Sequence, residues 1–152
     1  MIKRLLSYFI DKEQNKPNLL DELPQNAEVV CIGGSYSSPP VAIKIAKDVD
    51  SPTVVLVGGT DIEKEYIQEY SYTPFQFEED LSNLRTDQPI VLVASRVTML
   101  RFYLLFKLYG FKEVYRVRTG LVRLDKQAIL NEAREIYDQL KRKKKWEIVK
   151  ET

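Results

Sequence analysis

Three short turns in this sequence carry groups that could contact a small ligand. Each turn follows an apolar run, and the groups are glycine backbones, hydroxyls, one carboxylate and two arginines. The candidate ligand-binding residues are Gly33, Gly34, Ser35, Gly58, Gly59, Thr60, Glu63, Ser95, Arg96, Thr98 and Arg101. Paired glycines let the backbone approach a ligand closely, and N–H groups and hydroxyls at a helix start form an anion-binding concavity. The pattern therefore favours a site for a small anion.

Arg96 and Arg101 would supply the positive charge of such a site. Both fall near the predicted start of a helix, where a cation opposes the helix dipole at a cost of about 0.3–1 kcal/mol unless it meets an anion. Glu63 would hold a ligand hydroxyl or one of these arginines. The alternative is that both arginines pair with the acidic segment 78–80 or face solvent.

The glycine pairs also have a plainer explanation, as ordinary turns between a strand and a helix. The first turn lacks the third glycine of the dinucleotide-binding fingerprint, and it lacks the Gly-Lys-Ser/Thr of a P-loop. Both explanations stay open on the sequence alone.

The composition excludes several classes of enzyme. The 152 residues include no histidine and one cysteine, Cys31. The absence of histidine excludes Ser-His-Asp and Cys-His nucleophiles, histidine-bearing zinc sites and imidazole acid–base catalysis. Because Cys31 falls within a predicted buried strand, we expect a neutral structural thiol. The sequence therefore predicts no catalytic residue and no metal site, and it names no cofactor.

Apolar runs predict the elements that position the three turns. The runs at 29–32, 53–57 and 90–93 do not alternate with polar residues, which is typical of strands covered on both faces. A fourth, half-polar run covers 114–117, and helical spacing separates the runs. Alternating strands and helices favour a parallel sheet, in which the three turns share one edge. The predicted fold class is α/β, a three-layer Rossmann-like sandwich with a mainly parallel sheet of at least four strands.

The length favours a single domain over residues 1–152. Residues 1–24 would form an N-terminal helix and a linker, and 125–145 a C-terminal helix. The segment 69–89 is too long for a tight connection, and a short strand around 75–77 is expected within it. The apolar part of the N-terminus is too short for a membrane span, and no signal peptide is expected.

The charge balance bounds the partners. Lys and Arg number 23 against 22 Asp and Glu, so no overall field attracts nucleic acid, and a nucleic-acid partner is not expected. The basic run 141–145 could contact phosphates or acidic lipid, or it could be a solvated helix end. The apolar face of residues 1–10 could dock on a membrane or a partner, or pack across the sheet's own helices. A homo-oligomer is left open, and a cytoplasmic location is expected.

Three stretches of the chain resemble the YdcF/SanA-like domain of unknown function. They are 29–34, then 54–59 with Glu63 shortly after, and then 93–101 followed by apolar 104–106 and Gly110-Phe111. The resemblance implies a Rossmann-like sheet with a polar pocket at the strand ends and a nucleotide-like ligand. Thr98 stands where the family has a histidine, Val57 where it has a serine, and 82–86 replaces a longer polar segment. These departures imply a catalytically reduced or inactive member.

A second resemblance is to the rhodanese-like domain. Its basis is the segment 89–93, the arginine-bearing turn after it, a helix, and 110–115. Persulfide chemistry would need a cysteine at the strand end, where this chain has Ala94 and Ser95. The sequence thus predicts a cytoplasmic YdcF-like domain that binds a small anion at the strand ends, and the alternatives are a non-catalytic protein-interaction domain or an inactive rhodanese-like domain.

Overall fold

The computed structural model describes the backbone of residues 2–151 and the side chains of residues 2–142. The helices are α1 (Ile2–Gln14), α2 (Ser38–Asp48), α3 (Asp61–Tyr70), α4 (Met99–Leu108) and α5 (Lys126–Glu151), and a 3-10 turn covers Leu20–Glu22. The strands are β1 (Glu28–Ile32), β2 (Val54–Val57), β3 (Phe75–Glu78), β4 (Ile90–Ser95) and β5 (Val114–Thr119).

All five strands pair in parallel, in the order β3-β2-β1-β4-β5. The expected α/β class and the parallel sheet are confirmed, and the three unalternating runs are the three central strands. The segment 69–89 supplies β3 at one edge of the sheet. The chain reverses its direction of travel across the sheet between β1 and β4, and in open α/β folds this switch point is where ligands usually bind.

Helices cover both faces of the sheet, which explains why the central strands carry apolar residues in succession. On one face, Val29 and Cys31 pack with Val54 and Leu56 beneath α2 and α3. On the other face, the alternate residues of the same strands pack beneath α4, where Phe106 and Phe111 are fully covered. Both faces of β1, β2 and β4 are therefore buried.

Helices α1 and α5 pack against α4 on the same side of the sheet, so the expected three-layer sandwich is confirmed. Ile10 of α1 is fully buried between Ala133 and Ile136 of α5, and Leu104 of α4 contacts the same cluster. The N-terminal helix thus packs on the domain's own helices through Ile10 and Leu6, as one of the two sequence interpretations expected, whereas Ile2, Leu5 and Phe9 of the same apolar face are exposed. The C-terminal helix continues past the expected end at 145, to Glu151.

Two further features concern membranes and the basic run. In the described part of the chain, no helix has an apolar stretch long enough to span a membrane. Lys141 and Arg142 are exposed, and the amino group of Lys141 lies 4.5 Å from the centre of the Tyr137 ring. The side chains at 143–145, which complete the basic run, lie outside the described residues.

Candidate functional site

The first two glycine turns, which follow β1 and β2, contact each other. A Cβ atom placed on Gly33 would lie 2.4 Å from the Cα atom of Gly59 and 2.8 Å from the carbonyl oxygen of Gly58. No side chain fits there, because the neighbouring atoms belong to the backbone. Gly34 and Gly58 also have positive φ angles, 99° and 64°. Gly33 is therefore required by the approach of the two turns to each other, and Gly34 and Gly58 are favoured by their backbone conformation.

Glu63 joins these two turns through hydrogen bonds. Its two carboxylate oxygens each lie 3.0 Å from the backbone nitrogen of Gly34, and one of them also accepts the backbone N–H of Thr60 at 3.0 Å. The Thr60 hydroxyl accepts the N–H of Glu63 in return, at 3.3 Å, which completes a capping box at the start of α3. Glu63 is 2% exposed. Two of the donors that we expected for a ligand, the N–H groups of Gly34 and Thr60, are thus held by the protein's own carboxylate.

The start of α2 offers few donors beyond those already used. Its first three residues are Ser38, Pro39 and Pro40, and proline has no backbone N–H. The N–H of Ser38 donates to the carbonyl oxygen of Ser35 at 3.2 Å, and its hydroxyl lies 2.7 Å from that of Thr119. This helix start is therefore poorly equipped to bind an anion.

The third turn directs Arg96 towards the N-terminal segment. Its guanidinium donates to the carbonyl oxygens of Gln14 at 3.1 Å, Lys16 at 3.3 Å and Gly120 at 3.1 Å. The neighbouring hydroxyls of Ser95 and Thr98 bond to each other at 2.6 Å. Arg96 thus fastens the end of α1 to the end of β5.

Arg101 lies on the side of α4 that faces α5. Its Nε lies 3.1 Å from Glu132, and its Nη1 lies 3.7 Å from Glu135. The expectation that Arg101 lies beside the glycine turns is therefore wrong, because its position on α4 directs it towards two glutamates of α5. Burial raises the pKa of Glu132 more than Arg101 lowers it, and Glu135 raises it further.

The acidic segment 78–80 forms no ion pair with Arg96 or Arg101. Glu78 accepts hydrogen bonds from the side chains of Asn83 and Gln76, and Asp80 accepts from Ser82. The ion-pair alternative for Arg96 and Arg101 is therefore also wrong, since each has partners elsewhere. The strand ends bring together the glycines, Thr60 and Glu63, and they bring Ser95 next to Thr98, but neither predicted arginine joins these groups.

Cys31 lies in the core beneath α2. Its side chain is fully buried, burial raises the pKa of its thiol, and the nearby Glu63 carboxylate raises that pKa further. A thiol that stays protonated is a poor nucleophile. Among the described residues, no group of three or more cysteines, aspartates and glutamates is arranged to hold a metal ion.

A second cluster of charged groups lies at the other edge of the sheet, beside β5. Glu13 of α1, 2% exposed, receives three cations on its two carboxylate oxygens. Arg118 donates from Nη2 to Oε1 at 2.7 Å, Arg116 donates from Nη1 to Oε2 at 2.9 Å, and the Lys16 amino group lies 3.3 Å from Oε2. Arg116 also stacks over the Tyr103 ring, 4.2 Å from its centre. Three positive charges thus converge on one negative charge.

A cavity of about 230 Å³ opens against this cluster, and we call it the β5-edge cavity. Its lining residues are Lys16, Pro17, Leu19, Glu22, Leu23, Val114, Tyr115, Arg116 and Arg118. Three of its wall residues are cationic and one, Glu22, is acidic, while leucines, a proline and a valine supply apolar surface. The cavity can therefore hold a group that combines negative charge with an apolar part.

The sequence does not identify these residues as a site, although two of the four charged residues, Arg116 and Arg118, lie close together in it. Arg116 falls within the predicted run 114–117 and Arg118 one residue beyond its end; because β5 extends to Thr119, the two side chains share one face. Nothing local marks Glu13 or Lys16 as their neighbours, because about a hundred residues separate them along the chain. No family model, curated protein or solved structure matches this chain.

Proposed function

We propose that this protein is a non-catalytic domain that binds a small anionic ligand, and that the ligand occupies the β5-edge cavity. The expected class of ligand is kept, and the expected position, the strand-end crevice, is replaced. In that crevice the arginines and the backbone N–H groups named above are already bound to protein atoms.

The observation that carries this proposal is the excess of cations at Glu13. Lys16, Arg116 and Arg118 outnumber Glu13 by two charges, and Glu22, which also lines the cavity, leaves one positive charge unbalanced. An anion beside Lys16 and Arg116 would neutralise that charge. Charge-assisted hydrogen bonds of this kind contribute about 1.5–3 kcal/mol each.

The size of the cavity limits the ligand. Pockets that enclose drug-sized molecules hold about 300–1,000 Å³, and this one holds about 230 Å³. The volume therefore favours a carboxylate or a single phosphate group. A whole nucleotide, the ligand that the YdcF/SanA-like resemblance would imply, is disfavoured.

The YdcF/SanA-like relationship remains part of the proposal. It is supported by the parallel sheet and by the mutual contact of 29–34, 54–59 and Glu63, which are among the stretches that carry the resemblance. A cytoplasmic location is proposed with it, on the basis of the single buried thiol.

The first test is a calorimetric titration of the protein with inorganic phosphate and with acetate. We expect saturable binding with a dissociation constant of about 1 mM, and we expect Arg116→Met or Lys16→Met to weaken the binding about tenfold. Arg85→Met is the matched control, because Arg85 is an exposed arginine on the loop before β4 whose ion pair with Asp87 lies in solvent. The affinity of the Arg85→Met variant for phosphate and for acetate should equal that of the unmodified protein.

Amide chemical shifts locate the bound anion. Shifts at Leu19, Tyr115 and Arg116 on titration support the β5-edge cavity. Shifts centred on Gly34 and Thr98 would return the site to the strand-end crevice and overturn the proposed position. An absence of saturable binding by either anion would overturn the function itself.

A further inference from the structure

We infer that the β5-edge cavity binds the C-terminal residue of an extended peptide, whose carboxylate lies against Lys16 and Arg116 and whose backbone pairs with β5. This inference rests on the proposed function, since it assigns a ligand class to the same cations. It adds a second recognition element, the outer edge of β5, that a free anion would not use.

The register of β5 shows which of its backbone groups face outward. The N–H of Ile90 donates to the carbonyl oxygen of Glu113, and the N–H of Arg96 donates to that of Thr119, both at 3.0 Å. In a parallel ladder, alternate residues face the same neighbour. Residues 113, 115, 117 and 119 therefore bond to β4. Val114, Arg116 and Arg118 direct their N–H and C=O groups away from the sheet.

Asn18 already occupies part of this edge in the way a peptide would. Its amide oxygen accepts the backbone N–H of Arg118 at 2.8 Å, and its amide nitrogen donates to the carbonyl oxygen of Arg118 at 2.9 Å. This reciprocal exchange imitates the pairing of an added strand. In the part of the chain that the structure describes, no side chain makes the same exchange with Arg116, the next outward residue.

The segment that follows Asn18 lines the cavity beside this edge. Its Leu19 and Leu23 line the cavity together with Val114 and Arg116 of β5. The cavity thus combines an unpaired stretch of strand, an apolar wall and the excess cations named above. Unpaired strand edges are templates for pairing with another chain.

A peptide C-terminus satisfies all three features together. Its terminal carboxylate would meet Lys16 and the free donors of Arg116, its last amide would pair with the backbone of Arg116, and an apolar last side chain would contact Leu19 and Leu23. A phosphate ion would use only the cations. The cavity volume of about 230 Å³ equals that of about eight waters at roughly 30 Å³ each, which is room for the last residue of a peptide.

The test compares three probes on the full chain: N-acetyl-Gly-Val-Val with a free carboxylate, the same peptide as its C-terminal amide, and inorganic phosphate. We expect the free carboxylate to bind at least tenfold more tightly than the amide. Lys16→Met should remove that preference. Lys44→Met, at an exposed lysine on α2, should retain it. Lys16 is half-exposed, so its substitution should leave the fold intact.

Hydrogen exchange separates strand pairing from simple charge attraction. With the acid peptide bound, the Arg116 amide should exchange at least tenfold more slowly, and phosphate should leave it unchanged. Methylation of the last peptide nitrogen should lower the affinity at least tenfold.

The outcomes distinguish this inference from the function on which it rests. If phosphate binds at the cavity, and the acid peptide either does not bind or binds no more tightly than its amide, the peptide inference is wrong and anion binding stands. If neither phosphate nor the acid peptide binds, both are wrong.

Discussion

Both carboxylate oxygens of Glu63 lie 3.0 Å from the backbone nitrogen of Gly34, so a side chain from α3 closes the turn that follows β1. The same carboxylate holds the N–H of Thr60. A buried anion therefore already sits where the sequence predicts an anionic ligand. The glycine turns are built around an internal carboxylate, which takes the position expected for the ligand.

Glu63→Ala should destabilise the protein by about 2–4 kcal/mol, because it leaves the N–H groups of Gly34 and Thr60 without their acceptor in a buried site. Urea unfolding followed by circular dichroism measures the change. Glu65→Ala is the matched control on the exposed side of α3, and it should change stability by less than about 0.5 kcal/mol. Equal effects of the two substitutions would show that Glu63 does not bridge the turns.

Gly33→Ala should cost about 3 kcal/mol or prevent folding, since the new Cβ would lie 2.4 Å from the Cα of Gly59. Gly34→Ala is the comparison, because it has open space around its Cβ and only an unfavourable φ of 99°. Its expected cost is about 1–2 kcal/mol. Thermal unfolding of both variants ranks them. If Gly33→Ala is the milder change, the two glycine turns do not contact each other in solution.

Glu13→Gln should destabilise the protein by about 3–5 kcal/mol, because it removes the one negative charge that neutralises the buried Arg118. Asp87→Asn breaks the exposed pair with Arg85 and should have no measurable effect. Chemical denaturation at neutral pH compares them. A Glu13→Gln variant as stable as the Asp87→Asn variant would contradict the burial of this cluster.

Glu132→Gln should change the free energy of unfolding more favourably at neutral pH than at acidic pH. The pKa of Glu132 is raised in the folded protein, mainly by burial, so ionisation costs more in the folded state than in the unfolded state. That penalty is absent below the unfolded pKa, near 4.5, and complete above the folded pKa. The stability difference between Glu132→Gln and the unmodified protein should therefore grow as pH rises through this window. A difference that falls with rising pH would mean that Arg101 outweighs burial.

For Arg101, the sequence predicts the helix on which it lies but not the partners of its side chain. The local pattern places it correctly in the first turns of a helix after β4, where a ligand site was expected. Its partners, Glu132 and Glu135, belong to α5, about thirty residues later in the chain. No local pattern states that α5 packs against α4. The helix was therefore predictable, and the direction of the arginine was not.

The β5-edge cavity also depends on contacts that no local sequence pattern shows. The sequence predicts a strand that contains Arg116 but ends before Arg118, and this strand is at the edge of the sheet only because the order is β3-β2-β1-β4-β5. The cluster forms because α1 brings Glu13 to that edge and the chain then follows β5 as far as Asn18. The excess charge is a property of this arrangement rather than of any segment.

The sequence by itself determines the class of fold and the positions of its turns. Unalternating apolar runs at 29–32, 53–57 and 90–93 specify strands buried on both faces, and the glycine pairs specify how two of them end. These are local properties, since each depends on neighbouring residues. The tertiary structure alone decides the strand order, the capture of Gly34 by Glu63, and the convergence of Lys16, Arg116 and Arg118 on Glu13. Such contacts depend on which elements are adjacent and in which register, and burial makes an ion pair strong or weak only after the chain has folded.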